Sequence, residues 1–233
     1  GDAFVSLSST VIGEATVTAE VNGAAFVNGS PAAVHFVADA PDVSVATTLL
    51  EVTADGAVAN GVAINSVRAH ITDANGNPVA NQTVTFVIAS GTATPGGSLT
   101  VTTDADGNAV LNLTSIVVGT VTVTASVNGT PIVNGSPASV EFVVDAPDVS
   151  SDDTRLEVVA DGAVADGIAT NSVRAHITDA HGNPVSGQSV TFIVASGTAS
   201  FTTPATVITD ANGDAFVSLQ SIVAGEADIT ATV

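Results

Sequence analysis

The chain has 233 residues, with 23 Asp and Glu against three Arg and no Lys, a formal charge of −20. A nucleic-acid binder neutralises phosphates with clustered Lys and Arg, so that function is excluded, and an anionic membrane surface would repel the chain for the same reason. Cys, Met, Trp and Tyr are absent, which removes a disulfide framework, a thiolate metal site and an aromatic platform for stacking sugars.

What remains is a core of Val, Ala, Ile, Leu and eight Phe. Val, Ile and Thr are stiff at χ1 and favour pleated sheet, so composition leans to an all-β fold. No stretch reaches the ~18 consecutive apolar residues of a spanning helix. No charged-then-apolar leader opens the chain; Gly1 begins in mid-pattern, as in an excised fragment.

The chain repeats itself. Gly1–Ala19 matches Gly107–Ala125 and again Gly213–Ala231. Asn28-Gly29-Ser30-Pro31-Ala32 returns at Asn134–Ala138, Ala40-Pro41-Asp42-Val43-Ser44 at Ala146–Ser150, and Asn65–Ala74 at Asn171–Ala180, always 106 positions on. That period exceeds the ~20–50 residues of a solenoid unit and fits a whole domain. The Ala-Pro-Asp-Val-Ser joints divide the chain into the C-terminal part of one repeat (1–42), a complete repeat (43–148) and a repeat lacking its last strand (149–233). Pro fixes φ and forces an extended residue before it, so each joint is expected to be short and stiff.

Within the complete repeat the elements run as follows. Leu50 and Val52 mark a first strand. Val67, Ala69 and Ile71 alternate with Arg68 and His70 in a second. Val84, Phe86 and Ile88 alternate with Thr83, Thr85 and Val87 in a third. Leu99–Val101 and Ala109–Leu113 follow, then Val121, Val123, Ala125 and Val127 facing in between Thr and Ser residues, and finally Val140, Phe142 and Val144. Asp55-Gly56, Asn60-Gly61, Asn75-Gly76, Asp106-Gly107, Asn128-Gly129 and Asn134-Gly135 separate them, dipeptides that supply the positive φ of tight turns. About seven alternating strands per 106 residues predict tandem immunoglobulin-like β-sandwich domains in an extended rod. The buried Trp, disulfide and Tyr of antibody-type domains are missing.

The runs Val52–Gly61, Asn65–Ala69, Thr72-Asp73-Ala74-Asn75-Gly76-Asn77-Pro78-Val79 and Val84-Thr85-Phe86 resemble the group 1 bacterial Ig-like domain. So does Thr103–Gly107 followed by Gly119–Ala125. The resemblance implies the surface-exposed part of an intimin- or invasin-like adhesin: extracellular, at the bacterial surface, anchored by an outer-membrane barrel in another part of the protein. Two near-identical neighbours suit a stalk or spacer that extends an adhesive tip. The alternative is a module that itself mediates adhesion or self-association, to a host protein or glycan or to a neighbouring stalk. Expected partners are therefore the adjoining Ig-like repeats, with a host surface receptor or another adhesin copy as further candidates.

Site candidates are few. Asp73–Asn77 lacks the Gly at the sixth position and the Glu at the twelfth that an EF-hand needs, and reads as a turn closed by Asx side chains. Asp104, Asp106 and Asp210, with the joint residues Asp145 and Asp148, are candidates for a structural Ca²⁺; solvated surface charge is the other reading, and Asn212 stands where Asp106 stood. His70 and His176 sit on a polar strand face with no metal-binding partner at suitable spacing. No nucleophile elbow or phosphate loop is present, so an enzyme is not expected. Ile132 and Val133, in the loop before the last strand, form a candidate contact surface, or else pack on the next repeat and stiffen the joint.

Overall fold

The computed structural model describes residues 1–233, and every regular element is a strand. Residues 1–42 carry β1 (Gly13–Val17), β2 (Glu20–Val21), β3 (Ala24–Ala25) and β4 (Ala32–Phe36). β1 pairs antiparallel with β4, and β2 with β3. The complete repeat contains β5 (Leu49–Ala54), β6 (Ala57–Val58), β7 (Asn65–His70), β8 (Thr83–Ser90), β9 (Thr94–Pro95), β10 (Thr100–Thr102), β11 (Asn108–Thr114), β12 (Gly119–Val127), β13 (Thr130–Pro131) and β14 (Ala138–Val143). One sheet runs β5-β7-β11-β9. The other runs β10-β8-β12-β14-β6, with β13 folded back on β12. β6 joins β14 in parallel, a pairing of two residues that alternation does not reveal.

The last repeat follows the same plan with β15 (Arg155–Ala160), β16 (Asn171–His176), β17 (Ser189–Ser196), β18 (Ser200–Phe201), β19 (Thr206–Ile208), β20 (Asp214–Gln220) and β21 (Asp228–Thr232). Its sheets are β15-β16-β20-β18 and β19-β17-β21.

Alternation decides what is buried. Val67 and Ala69 of β7, Ala109, Leu111 and Leu113 of β11, Val84 and Phe86 of β8, and Val121, Val123, Ala125 and Val127 of β12 form the core of the complete repeat, with Val140 and Phe142 of β14. Each large apolar side chain removed from water contributes roughly 1.5–3 kcal/mol. The intervening residues meet solvent, where Arg68 pairs with Glu51 across β5 and β7. In the last repeat Val173, Ala175, Val190, Phe192, Ala215, Val217 and Leu219 repeat the pattern.

Turn chemistry fixes the register. Asn128 and Gly129 both have positive φ, 48° and 84°, the two-residue turn that folds β13 onto β12. Gly107 is required for a second reason: a Cβ there would lie 2.4 Å from the Ile71 carbonyl oxygen. Its own carbonyl accepts the Ile71 N–H, so the turn before β11 is laced directly to the end of β7.

The chain forms two compact units. The first comprises residues 1–55, 64–113 and 120–141; the second comprises 56–63, 114–119 and 142–233. The loops at one end of the complete repeat therefore belong with the repeat that follows, and the first unit joins residues 1–42 to the body of the complete repeat.

Candidate functional site

Four of the acidic residues singled out from the sequence, Asp104, Asp145, Asp148 and Asp210, use their carboxylates locally. The Asp104 carboxylate accepts the N–H groups of Asp106 and Asn108 at 3.0 and 2.8 Å, and Asp210 does the same for Asn212 and Asp214. Those two backbone donors hold the Asp210 carboxyl below its usual range. Asp148 caps its own joint: Ser150 donates its hydroxyl and its N–H to one carboxylate oxygen, the hydroxyl being the larger cause of that group's lowered pKa. Asp145 accepts the N–H of Ala146 at 2.7 Å. No three Asp, Glu or His side chains come together in a set able to hold a metal ion.

The candidate contact loop divides. Val133 is 65% exposed, but Ile132 is only 2% exposed. This corrects the reading of Ile132 as a surface residue: its N–H bonds the Ala125 carbonyl, which turns the side chain into the sandwich. The two histidines of the polar face are both partnered. His70 Nδ1 lies 2.9 Å from Asn108 Oδ1, and His176 Nδ1 lies 2.6 Å from Asp214 Oδ1.

The most connected polar arrangement was only half visible in the sequence. The Asp73–Asn77 turn is indeed closed by Asx bonds, with Asp73 Oδ1 accepting the N–H of Asn75 and of Asn77 at 2.9 Å each. Its other oxygen accepts the Asn77 amide at 2.9 Å and the N–H of Asp39, in the preceding joint, at 3.1 Å. Asp73 is buried, and the Asn77 amide is the main cause that brings its pKa down to about 2. The Asn77 side chain then reaches further, donating to the carbonyl of Thr10 at 2.9 Å and accepting the N–H of Ile12 at 3.2 Å.

The second copy repeats the bonds that reach the neighbouring repeat. Asn183 donates to Asp179 at 2.8 Å and to the Ile116 carbonyl at 2.9 Å, and accepts the N–H of Val118 at 3.3 Å. Burial pushes the Asp179 carboxyl up, but the bonds from Asn183, His181 and Asp145 outweigh it and the pKa is lowered. The local half of this pattern is legible as a turn. The far half is not, because nothing in Asp-Ala-Asn-Gly-Asn says which backbone will stand opposite.

A concavity of about 890 Å³ lies in the second unit beside β21, among Val158, Val173, Leu219 and Ile229. In the complete repeat the equivalent strand, β12, has β14 along that edge.

Sandwiches repeated in tandem, with turns that grip the neighbouring repeat's backbone, define the class as an Ig-like array. The model for the bacterial Ig-like domain (group 1) matches residues 47–143 and 153–233, and the chain belongs to that family. The inverse autotransporter adhesin YeeJ of Escherichia coli K12 is 33% identical over the whole chain, which spans 10% of YeeJ. Invasin of Yersinia enterocolitica is 31% identical over 59% of the chain and 16% of invasin. The chain thus covers a small fraction of the curated relatives it matches. Among solved structures, invasin, a bacterial integrin-binding protein, matches 95% of the chain and 43% of its own at 25% identity, with a TM-score of 0.63. The Escherichia coli adhesin FdeC matches 95% of the chain and 69% of its own at 21% identity and a TM-score of 0.58, a likeness of fold. The chain is homologous to adhesins with Ig-like domains, and its family is not an enzyme family.

Proposed function

We propose that this chain is a spacer segment of a bacterial cell-surface adhesin, carrying an adhesive part outward from an anchor in the outer membrane. The observation that supports this reading is the undisturbed 106-residue period, which reproduces the residues that grip the neighbouring repeat as faithfully as those of the core. A spacer needs identical modules and identical joints. A receptor-binding module needs one surface unlike its neighbours. The charge of −20 suits the same role, since a chain of one sign stays apart from its copies.

A second reading, direct adhesion, has one observation in its favour. Val133 is exposed in the loop between β13 and β14, and its counterpart Val27 is exposed with Phe26 beside it. An exposed valine recurring in the same loop is a surface that a host protein, such as the integrin class bound by invasin, could use. The two readings separate by experiment. The 233-residue chain, labelled and applied at micromolar concentration to host cells and to immobilised integrin, is expected not to be retained. Retention that is lost on Val133→Ser would overturn the spacer reading in favour of adhesion.

A further inference from the structure

We infer that each repeat ends in a main-chain socket, and that the Asp-x-x-x-Asn turn of another Ig-like repeat is the plug that fits it. The inference goes beyond the spacer reading and does not depend on it, because the fit holds whether the repeats space or bind. Both occupied sockets lie inside a compact unit: Thr10 and Ile12 with Asn77 in the first, Ile116 and Val118 with Asn183 in the second.

The socket spans three residues. It presents one carbonyl and, two positions on, one N–H, the spacing that a primary amide matches with its NH₂ and its oxygen. A serine braces it in every copy. Ser9 Oγ donates to the Val11 carbonyl and accepts the Val11 N–H, Ser115 does the same with Val117, and Ser221 with Val223. The serine uses the intervening N–H, which leaves the outer two groups facing the amide. The plug is equally prepared, since the buried Asp holds one amide hydrogen and fixes which side of the asparagine carries the NH₂.

Ser221–Ala224 keeps the same serine bonds, and Ile222 and Val223 are exposed, with no asparagine of these 233 residues bonded to the Ile222 carbonyl or the Ala224 N–H. The partner this socket fits is another Ig-like repeat that presents Asp and Asn four residues apart ahead of a proline, as Asp73-Ala74-Asn75-Gly76-Asn77-Pro78 and Asp179-Ala180-His181-Gly182-Asn183-Pro184 do. Asparagine is required: aspartate at that position would offer no donor to the carbonyl and would set a second negative charge against the buried one.

Amide hydrogen exchange of the intact chain, read by NMR, tests this within one molecule. The N–H groups of Ile12 and Val118 are expected to exchange at least tenfold more slowly than that of Ala224, their unplugged equivalent. Asn183→Ala should bring Val118 to the rate of Ala224 and leave Ile12 protected; Asn77→Ala should do the reverse. The Val117 amide, bonded to Ser115, reports that the loop itself is still folded. Val118 exchanging as fast as Ala224 in the parent chain, or keeping its protection in Asn183→Ala, would overturn the inference.

Discussion

Gly1–Leu7 and Gly213–Leu219 are the same seven residues, Gly-Asp-Ala-Phe-Val-Ser-Leu, and they do not share a structure. At 214–220 the sequence is β20, held between β16 and β18, with Ala215, Val217 and Leu219 turned into the core. At 1–7 it forms no strand, and every residue is exposed: Phe4 is 94% and Val5 72% accessible, against 1% for Val217. The difference is the partner. β20 is received by Asn171–His176, whereas residues 1–7 pair with no strand among these 233 residues. Alternation states which side chains would face a core. It does not supply the neighbouring ladder, and strand preference is mostly a preference for a half-buried pleated surface.

The sharpest way to break this comparison is to cut the same side chain in both places. Leu219→Ala is expected to destabilise the last repeat by about 2–5 kcal/mol, the cost of deleting a large buried side chain. Leu7→Ala is expected to stay within about 0.5 kcal/mol, as for a surface change. Urea unfolding of both variants checks the pair, and equal effects would mean that residues 1–7 are packed after all.

The glycine that opens each copy should show the next largest contrast. Gly213 has φ +76°, and a Cβ there would stand 2.4 Å from the Ile177 carbonyl oxygen; Gly1 has nothing within 4 Å. Gly213→Ala is therefore expected to cost more than the roughly 1–2 kcal/mol of the left-handed conformation alone, while Gly1→Ala costs nothing measurable. Thermal unfolding of the two variants side by side reads this directly.

A smaller effect asks whether polar groups obey context as strands do. The folded pKa of Asp73, about 2, lies below the ordinary carboxylate value of about 3.9. A depressed carboxylate stabilises the fold fully above the unfolded value, and that contribution is lost as pH falls through the folded one. The melting temperature should therefore hold from pH 7 to about 5 on this account and decline between about 4 and 2. Asn77→Ala, which removes the main cause of the shift, should flatten part of that decline; an unchanged profile would deny Asn77 this role.

These contrasts mark what the sequence could show. The period, the inward faces of β7, β8, β11 and β12, and the turns at Asn128-Gly129 and Asp106-Gly107 are local or repetitive, and are legible because period-two alternation and positive φ each leave a residue signature. Ile132 misled because its neighbours in sequence are Pro131 and Val133, both exposed, while its burial depends on a bond to Ala125 across a hairpin. Asn77 and Asn183 looked like turn residues and are turn residues. Their second bonds run to Thr10 and Ile116, 67 positions away, and no short-range pattern encodes that distance.

Because the socket offers only main-chain atoms, its side chains are free to drift: Thr10, Ile116 and Ile222 occupy one position, and Ile12, Val118 and Ala224 the other. A plug then needs no matching side chain in the socket it meets. A gene encoding such a chain can gain or lose whole units by unequal crossing-over and still produce a protein whose junctions are all sound. Length becomes a trait that recombination can adjust in steps of one repeat, without a compensating mutation at the new boundary.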